Sequence, residues 1–338
     1  MKRFIKLCLV FCLPFMIWVA YYAVLDPFKV IKHYDLYYQP DEIIGINRGF
    51  ASTMHYKNHK DEYHYDSFIF GNSRSTTYYE EEWKKYIPKT SICYHFDASG
   101  GSVGGLYYKI KFIDEHGGDI KHALIVLDYY MMSKTEQSGH LYMLPPVLIQ
   151  NKNYLMFQWE NLSCFFNVEF LCALIDYKIH NKFKNYMWEY IRDKKWSIYD
   201  GAYYDPINNE IKTWLVKERS IERGDYYDEE VMKRFKNAQF PNKVSNVVIN
   251  EERLEMLKSI KSIFDCHHTK YKIVVSPLYD QVKLNPKDLQ SLYDVFGQEN
   301  VFDFSGVNQW TSDYHNYYEN SHYRICVAND ILRLIYKE

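Results

Sequence analysis

The regular part of the chain opens at Ser67-Phe68-Ile69-Phe70, a short apolar run that ends in Gly71. A run of that length bounded by glycine predicts a strand buried on both faces. The same signal recurs at Ser91–Phe96, at Ala123–Asp128, at Lys272–Pro277 and at Asn300–Phe304. Between these runs the spacing lengthens to that of amphipathic helices. Helices are predicted over Thr76–Tyr86, from the Asp97–Ser102 turn to about His116, over Glu251–Phe264, over Pro286–Phe296, and from Ile325 to Tyr336. Strands alternating with helices argue for a parallel sheet covered on both faces. The predicted fold is a three-layer α/β/α sandwich around a central, mainly parallel sheet of about five strands.

The alternation is interrupted over residues 133–250. Leu155–Arg192 reads as largely helical, and Tyr199–Asn246 as polar and irregular. Because strand and helix signals resume afterwards, this stretch reads as an insertion into one domain spanning residues 66–338. Residues 26–65 are Tyr-rich and weakly periodic and read as a connector. Residues 1–25 are different again. Lys2, Arg3 and Lys6 precede an uncharged run from Leu7 to Leu25, close to the about 20 apolar residues that span a bilayer core. Trp18, Tyr21 and Tyr22 lie where an interfacial aromatic belt would fall. The pattern predicts an uncleaved single-pass anchor with a cytoplasmic N-terminus and the bulk of the chain outside the cytoplasm. A cleaved signal peptide is the competing reading, though no small-x-small cleavage site stands near Ala20 or Ala23.

Charge narrows the function. With 41 basic and 43 acidic residues, the chain lacks the basic excess of a nucleic-acid binder. The seven cysteines show no C-x-x-C spacing, so neither a structural zinc site nor a disulfide framework is expected. His267-His268 beside Cys266 has no distant partner and reads as surface, so no metal or cofactor is called for. The 34 tyrosines, each with an apolar body and a polar tip, suit half-buried walls and wet clefts. Within the insertion they suggest a lid or a platform for sugars.

In open parallel sheets, sites form at the carboxyl ends of the strands. Gly71-Asn72-Ser73-Arg74-Ser75 falls there, after the first strand. A serine at a helix start is ordinarily an N-cap, yet one in this turn also exposes a hydroxyl beside a backbone N–H. Glu319-Asn320-Ser321-His322 falls at the same edge, between the last strand and the final helix. His322 is positioned to act as general base on Ser73, and Glu319 to fix its tautomer. Asp313 and His315 form a second carboxylate–His pair nearby, and Asp313 is an alternative to Glu319. Arg74 is a candidate for binding an anionic substrate group, or for pairing with a neighbouring acid.

The strand-Gly-Asn-Ser-Arg-Ser start, the glycine turn after the second strand and the late carboxylate-x-x-His-Tyr together resemble the SGNH/GDSL hydrolase superfamily. The resemblance covers roughly residues 66–127 and 271–336 and leaves out the insertion. It is strongest to the membrane-anchored branch, which includes proteins of alginate and peptidoglycan O-acetylation and of teichoic-acid D-alanylation. The resemblance implies Ser73 as nucleophile and His322 as base, with Glu319 where the family usually has Asp. It implies that Gly100 or Gly101 lends an N–H to an oxyanion hole alongside Ser73. The family's further donor, an Asn after the third strand, is replaced by Asp128-Tyr129-Tyr130, which leaves Asn72 as a substitute. The expected activity is that of an acyl transferase or esterase acting on a cell-envelope glycan or its acyl donor, in some relatives beside a membrane-bound O-acyltransferase. The alternative is an inactive glycan-binding or envelope-assembly protein on the same scaffold.

Overall fold

The computed structural model describes residues 1–38, 44–184, 186–187, 190–191 and 204–337. Residues 39–43 of the expected connector and 192–203 of the expected insertion lie outside the described residues. The core is a sheet of five parallel strands: β1 (Ser67–Gly71), β2 (Cys93–Asp97), β3 (His122–Leu127), β4 (Lys270–Val275) and β5 (Val301–Asp303). Their order across the sheet is β2-β1-β3-β4-β5. The apolar runs form strands because both of their faces are covered. Phe68 and Phe70 of β1, with Ala123, Ile125 and Leu127 of β3, face the helices Val103–Glu115 and Glu251–Cys266. Ile69, Leu124, Val126 and Val274 face the opposite way, onto the helix Ile325–Ile335. Period-2 alternation between two apolar faces is why the runs read as continuously hydrophobic. The chain is therefore a three-layer α/β sandwich.

The order has a functional consequence. Chain connections leave β1 toward β2 on one side and β3 toward β4 on the other. The carboxyl ends of the adjacent β1 and β3 thus border the crevice where strand order reverses. Gly71 of β1 stands opposite Val126 of β3 and Asp97 of β2. A Cβ on Gly71 would meet the Ser75 Cβ at 2.7 Å and the Val126 carbonyl at 2.9 Å. Only glycine lets the chain fold back this tightly over the sheet edge.

Two segments differ from expectation. The helix Arg48–Tyr63 lies within the stretch read as a connector. Tyr56 on this helix packs on Phe68, Tyr94 and Phe96, making it a layer of the sandwich over β2. Its first residue, Arg48, is buried and bonds Asp97 through Nε (2.9 Å) and Nη2 (2.6 Å). The same guanidinium reaches Asn209 of the insertion, at 3.0 Å from Nη1 to Oδ1. Asn208 and Asn209 in turn bond both backbone groups of His95 on edge strand β2. The insertion thus covers a strand edge that would otherwise present unpaired backbone groups. Thr76–Tyr86 is the second difference. It forms a 3-10 turn, Ser73–Thr77, and a short helix, Glu80–Trp83, in place of one helix.

The expected membrane anchor over residues 1–25 is corrected. A helix forms at Lys2–Leu25, but among the described residues no helix is long and apolar enough to cross a membrane. Pro14 lies inside it and removes a backbone bond. Tyr21 and Tyr22 bring hydroxyls into its last turns. Its distal half is also committed to protein: Phe15 stacks on Phe166 at 5.4 Å, and Trp18 lies 5.4 Å from Phe165. The expected single-pass placement across a membrane is therefore not supported.

Breaking a buried ion pair from one side strands the other charge. Arg48→Met is expected to lower the unfolding free energy by about 3–5 kcal/mol, measured by urea titration.

Candidate active site

The turn after β1 is built by Asn72. It is fully buried and caps the 3-10 turn, accepting the Arg74 N–H on its side-chain oxygen at 2.9 Å. Its amide nitrogen donates to Asp128 Oδ2 at 2.6 Å. The Ser75 hydroxyl donates to the Asn72 carbonyl at 2.8 Å. These bonds hold Ser73 half-buried at the turn's first position, where its N–H has no partner within the helix.

The opposite wall is a hairpin, β6 (Tyr317–Glu319) and β7 (His322–Tyr323), in which Glu319 and His322 are paired. Its tyrosines explain its position. Tyr317, Tyr318 and Tyr323 are fully buried, and each hydroxyl finds a partner beyond the hairpin. Tyr317 donates to the Pro277 carbonyl at 2.8 Å, and Tyr318 to Glu218 Oε1 at 2.6 Å. The Tyr323 hydroxyl lies 3.3 Å from Ser276 Oγ and donates to Tyr78 at 3.2 Å. Ser276 and Pro277 follow β4, so the hairpin is pinned to the carboxyl edge of the sheet.

This brings His322 Nε2 to 2.8 Å from Ser73 Oγ. Its Nδ1 bonds Glu319 Oε1, and Glu319 Oε2 accepts the Ser321 N–H at 2.9 Å. An ionised carboxylate only accepts hydrogen bonds, so Nδ1 carries the proton and Nε2 is left to accept from Ser73. Burial by itself would raise the Glu319 carboxyl. The facing His322 ring and its hydrogen bond, the Lys217 charge and the Ser321 N–H outweigh burial and hold it at about 2. Glu319 is therefore ionised throughout the range in which a histidine titrates. Asp313 is engaged elsewhere: it bonds His315 at 2.8 Å on the exposed surface, so Glu319 is the partner of His322.

Of its two expected roles, Arg74 shows the pairing with a neighbouring acid, Asp128. Its Nη1 bonds Asp128 Oδ2 at 2.8 Å, Nε bonds the Ser321 carbonyl at 2.9 Å, and Nη2 bonds Ser321 Oγ at 3.0 Å. It clamps the residue before His322 to the end of β3. Asn72, the expected substitute oxyanion donor, gives one of its two amide N–H groups to Asp128 Oδ2. Asp128, which stands where the resemblance calls for Asn, is acceptor-only. Its Oδ1 takes the Met131 N–H at 2.9 Å and its Oδ2 takes both Asn72 and Arg74.

Gly100 and Gly101 separate in role. Both have positive φ, 71° and 63°. The Gly101 N–H donates to the Ser99 carbonyl at 2.8 Å, and a Cβ there would meet the Asn72 Cβ at 2.9 Å. Gly101 is thus the residue whose lack of a side chain lets this turn close on the turn that carries Asn72 and Ser73. Gly100 is exposed, and among the described residues no acceptor takes its N–H, which leaves it as the available donor of the two.

The insertion supplies a wall built on Trp214, a residue the sequence reading did not single out. On the helix Trp214–Arg223, Trp214 stacks on Tyr318 at 4.6 Å and 3°, and its ring lies 5.0 Å from that of His322. It donates Nε1–H to Thr76 Oγ1 at 2.8 Å, and Thr76 donates to the Ser73 carbonyl at 2.6 Å. Glu218, one turn on, bonds Tyr318 and Arg324 on the hairpin side. The available signal was a tryptophan and a glutamate at i,i+4 spacing in an otherwise polar stretch, which puts both on one helix face.

The Glu319 pKa sets an acid limit. Its folded value, about 2, lies below the ordinary 4.5, so its stabilising contribution is present above pH 4.5 and lost as pH falls through about 2. In urea unfolding, the stability gap between the chain and Glu319→Gln is expected to close across that window.

Neither a known protein-family model nor a curated protein matches this chain.

Proposed function

We propose that this chain is a serine-dependent esterase or acyl transferase working through an acyl-Ser73 intermediate. The observation that carries the reading is the 2.8 Å contact between Ser73 Oγ and His322 Nε2, with Glu319 on the far ring nitrogen. In this scheme the Ser73 oxygen attacks an ester carbonyl carbon and its proton passes to His322 Nε2. The N–H groups of Ser73 and Gly100 stabilise the resulting oxyanion. Collapse breaks the ester bond, and the departing alcohol takes the proton from His322. Water or a sugar hydroxyl then gives its proton to His322 and attacks acyl-Ser73, releasing the serine. Water gives hydrolysis, and a sugar hydroxyl gives transfer.

The resemblance to SGNH/GDSL proteins supports a cell-envelope glycan or its acyl donor as substrate, and an O-acyltransferase as partner. One observation favours a second reading, a binding protein on an inactive scaffold. Asp128 accepts where the family's Asn donates, so that side-chain donor to the oxyanion is missing.

Labelling with a fluorophosphonate probe separates the two. The wild-type chain is expected to be labelled, Ser73→Ala not at all, and His322→Ala at a rate lower by on the order of 10³-fold or more. Unimpaired labelling of Ser73→Ala would overturn the nucleophile assignment.

A further inference from the structure

Gly100 and Gly101 carry the chain from β2 toward the helix Val103–Glu115, both with positive φ. Two consecutive glycines are the least restrained backbone a chain offers, whereas an oxyanion donor has to be held in place before the reaction. The Ser99 carbonyl and the Gly100 N–H belong to one trans peptide group and point opposite ways. The Gly101 N–H bonds the carbonyl side at 2.8 Å. The Gly100 N–H is thereby directed to the other side, where no acceptor takes it among the described residues.

The restraint on Gly101 comes from the start of the insertion. Gln137 donates Nε2–H to the Gly101 carbonyl at 2.7 Å, and its Oε1 accepts from Lys134 Nζ at 3.1 Å. The same carboxamide covers Gly100, where a Cβ would meet Gln137 Oε1 at 3.1 Å and Nε2 at 3.3 Å. Backbone contacts fix the position of the segment that carries Gln137. The Val103 N–H donates to the Lys134 carbonyl at 3.0 Å. A Cβ on Gly104 would lie 2.1 Å from the Thr135 carbonyl oxygen, an approach that glycine alone permits. The glycine turn is thus clamped between Asn72 on one side and residues 134–137 on the other.

We infer that Gln137 is a positioning residue for the oxyanion donor, its carboxamide locking the Gly100–Gly101 turn so that the Gly100 N–H stays free for the oxyanion. The inference rests on the acyl-Ser73 reading, in which that N–H is a donor. Asp128 stands where the resembling family has a donating Asn, so more of the oxyanion's stabilisation falls on backbone N–H groups. An error in the direction of Gly100 then costs more, because a displaced donor loses both distance and angle. The insertion therefore does more than wall the cleft. Its first residues hold the turn opposite the one that carries Ser73.

Two measurements on the full-length chain test this. One is native-state hydrogen exchange of the buried Gly101 amide in protein made with isotope-labelled glycine, which needs no turnover. The other is fluorophosphonate labelling of Ser73, resolved into a maximal rate and a half-saturating probe concentration. Gln137→Met keeps the packing over Gly100 and removes the donor. It is expected to speed Gly101 exchange by about tenfold or more. It is expected to lower the maximal labelling rate by on the order of tenfold with the half-saturating concentration little changed, a smaller loss than that of a whole oxyanion donor. Gln137→Glu, similar in shape but without the amide hydrogens, is expected to reproduce both effects, and it carries the test if Gln137→Met fails to fold. Unchanged Gly101 exchange overturns the inference, as does faster exchange with the maximal rate unaltered. If the wild-type chain resists the probe while Gly101 exchange still responds to Gln137, the Ser73 reading fails and the hold of Gln137 on the turn stands.

Discussion

The site depends on one buried carboxylate. Asp128, at the end of β3, is almost wholly out of solvent and takes three donors: the Met131 N–H, the Asn72 amide and Arg74 Nη1. Each donor brings a different piece of chain. Asn72 shapes the turn that presents Ser73, and Arg74 reaches across to Ser321 beside His322. A buried carboxylate is tolerated only when its lone pairs are filled and a countercharge is near. Asp128 meets that requirement by drawing the Ser73 turn and the His322 hairpin toward the same strand end.

A second constraint comes from tyrosine. The hairpin that carries Glu319 and His322 is only two short strands, too small to be stable in isolation. Tyr317, Tyr318 and Tyr323 bury their rings and send their hydroxyls to Pro277, Glu218, Ser276 and Tyr78. The abundance of tyrosine has a structural reason here, because these rings join a polar site to an apolar core. Trp214 extends the arrangement into the insertion and bonds back to Thr76 on the nucleophile turn. Arg48 acts similarly at the edge of the sheet, tying a helix and the insertion to Asp97 of β2. The insertion is thereby built into the domain at two places, the sheet edge and the site.

At the N-terminus, the absence of charge across Leu7–Leu25 was taken as a sign of membrane insertion. The helix that forms there holds Pro14 within it and sets Phe15 and Trp18 against Phe166 and Phe165. Those contacts join segments far apart in the chain, and no local run of residues encodes them.

By itself the sequence determined the layered α/β architecture, the five strands and the sheet edge on which Ser73, Glu319 and His322 fall. Those features are local: apolar runs of strand length, helical spacing between them, and motifs at their ends. The tertiary structure alone decided which of these groups touch. Ser73 and His322 are 249 positions apart, and Arg48 and Asn209 are 161 apart. No local pattern encodes such pairs, because each is set by how separate elements pack. The same holds for Arg74 and Asn72, which meet on Asp128 across the sheet edge. Trp214 lay in a stretch with no regular pattern, and only the folded chain brings it beside the histidine.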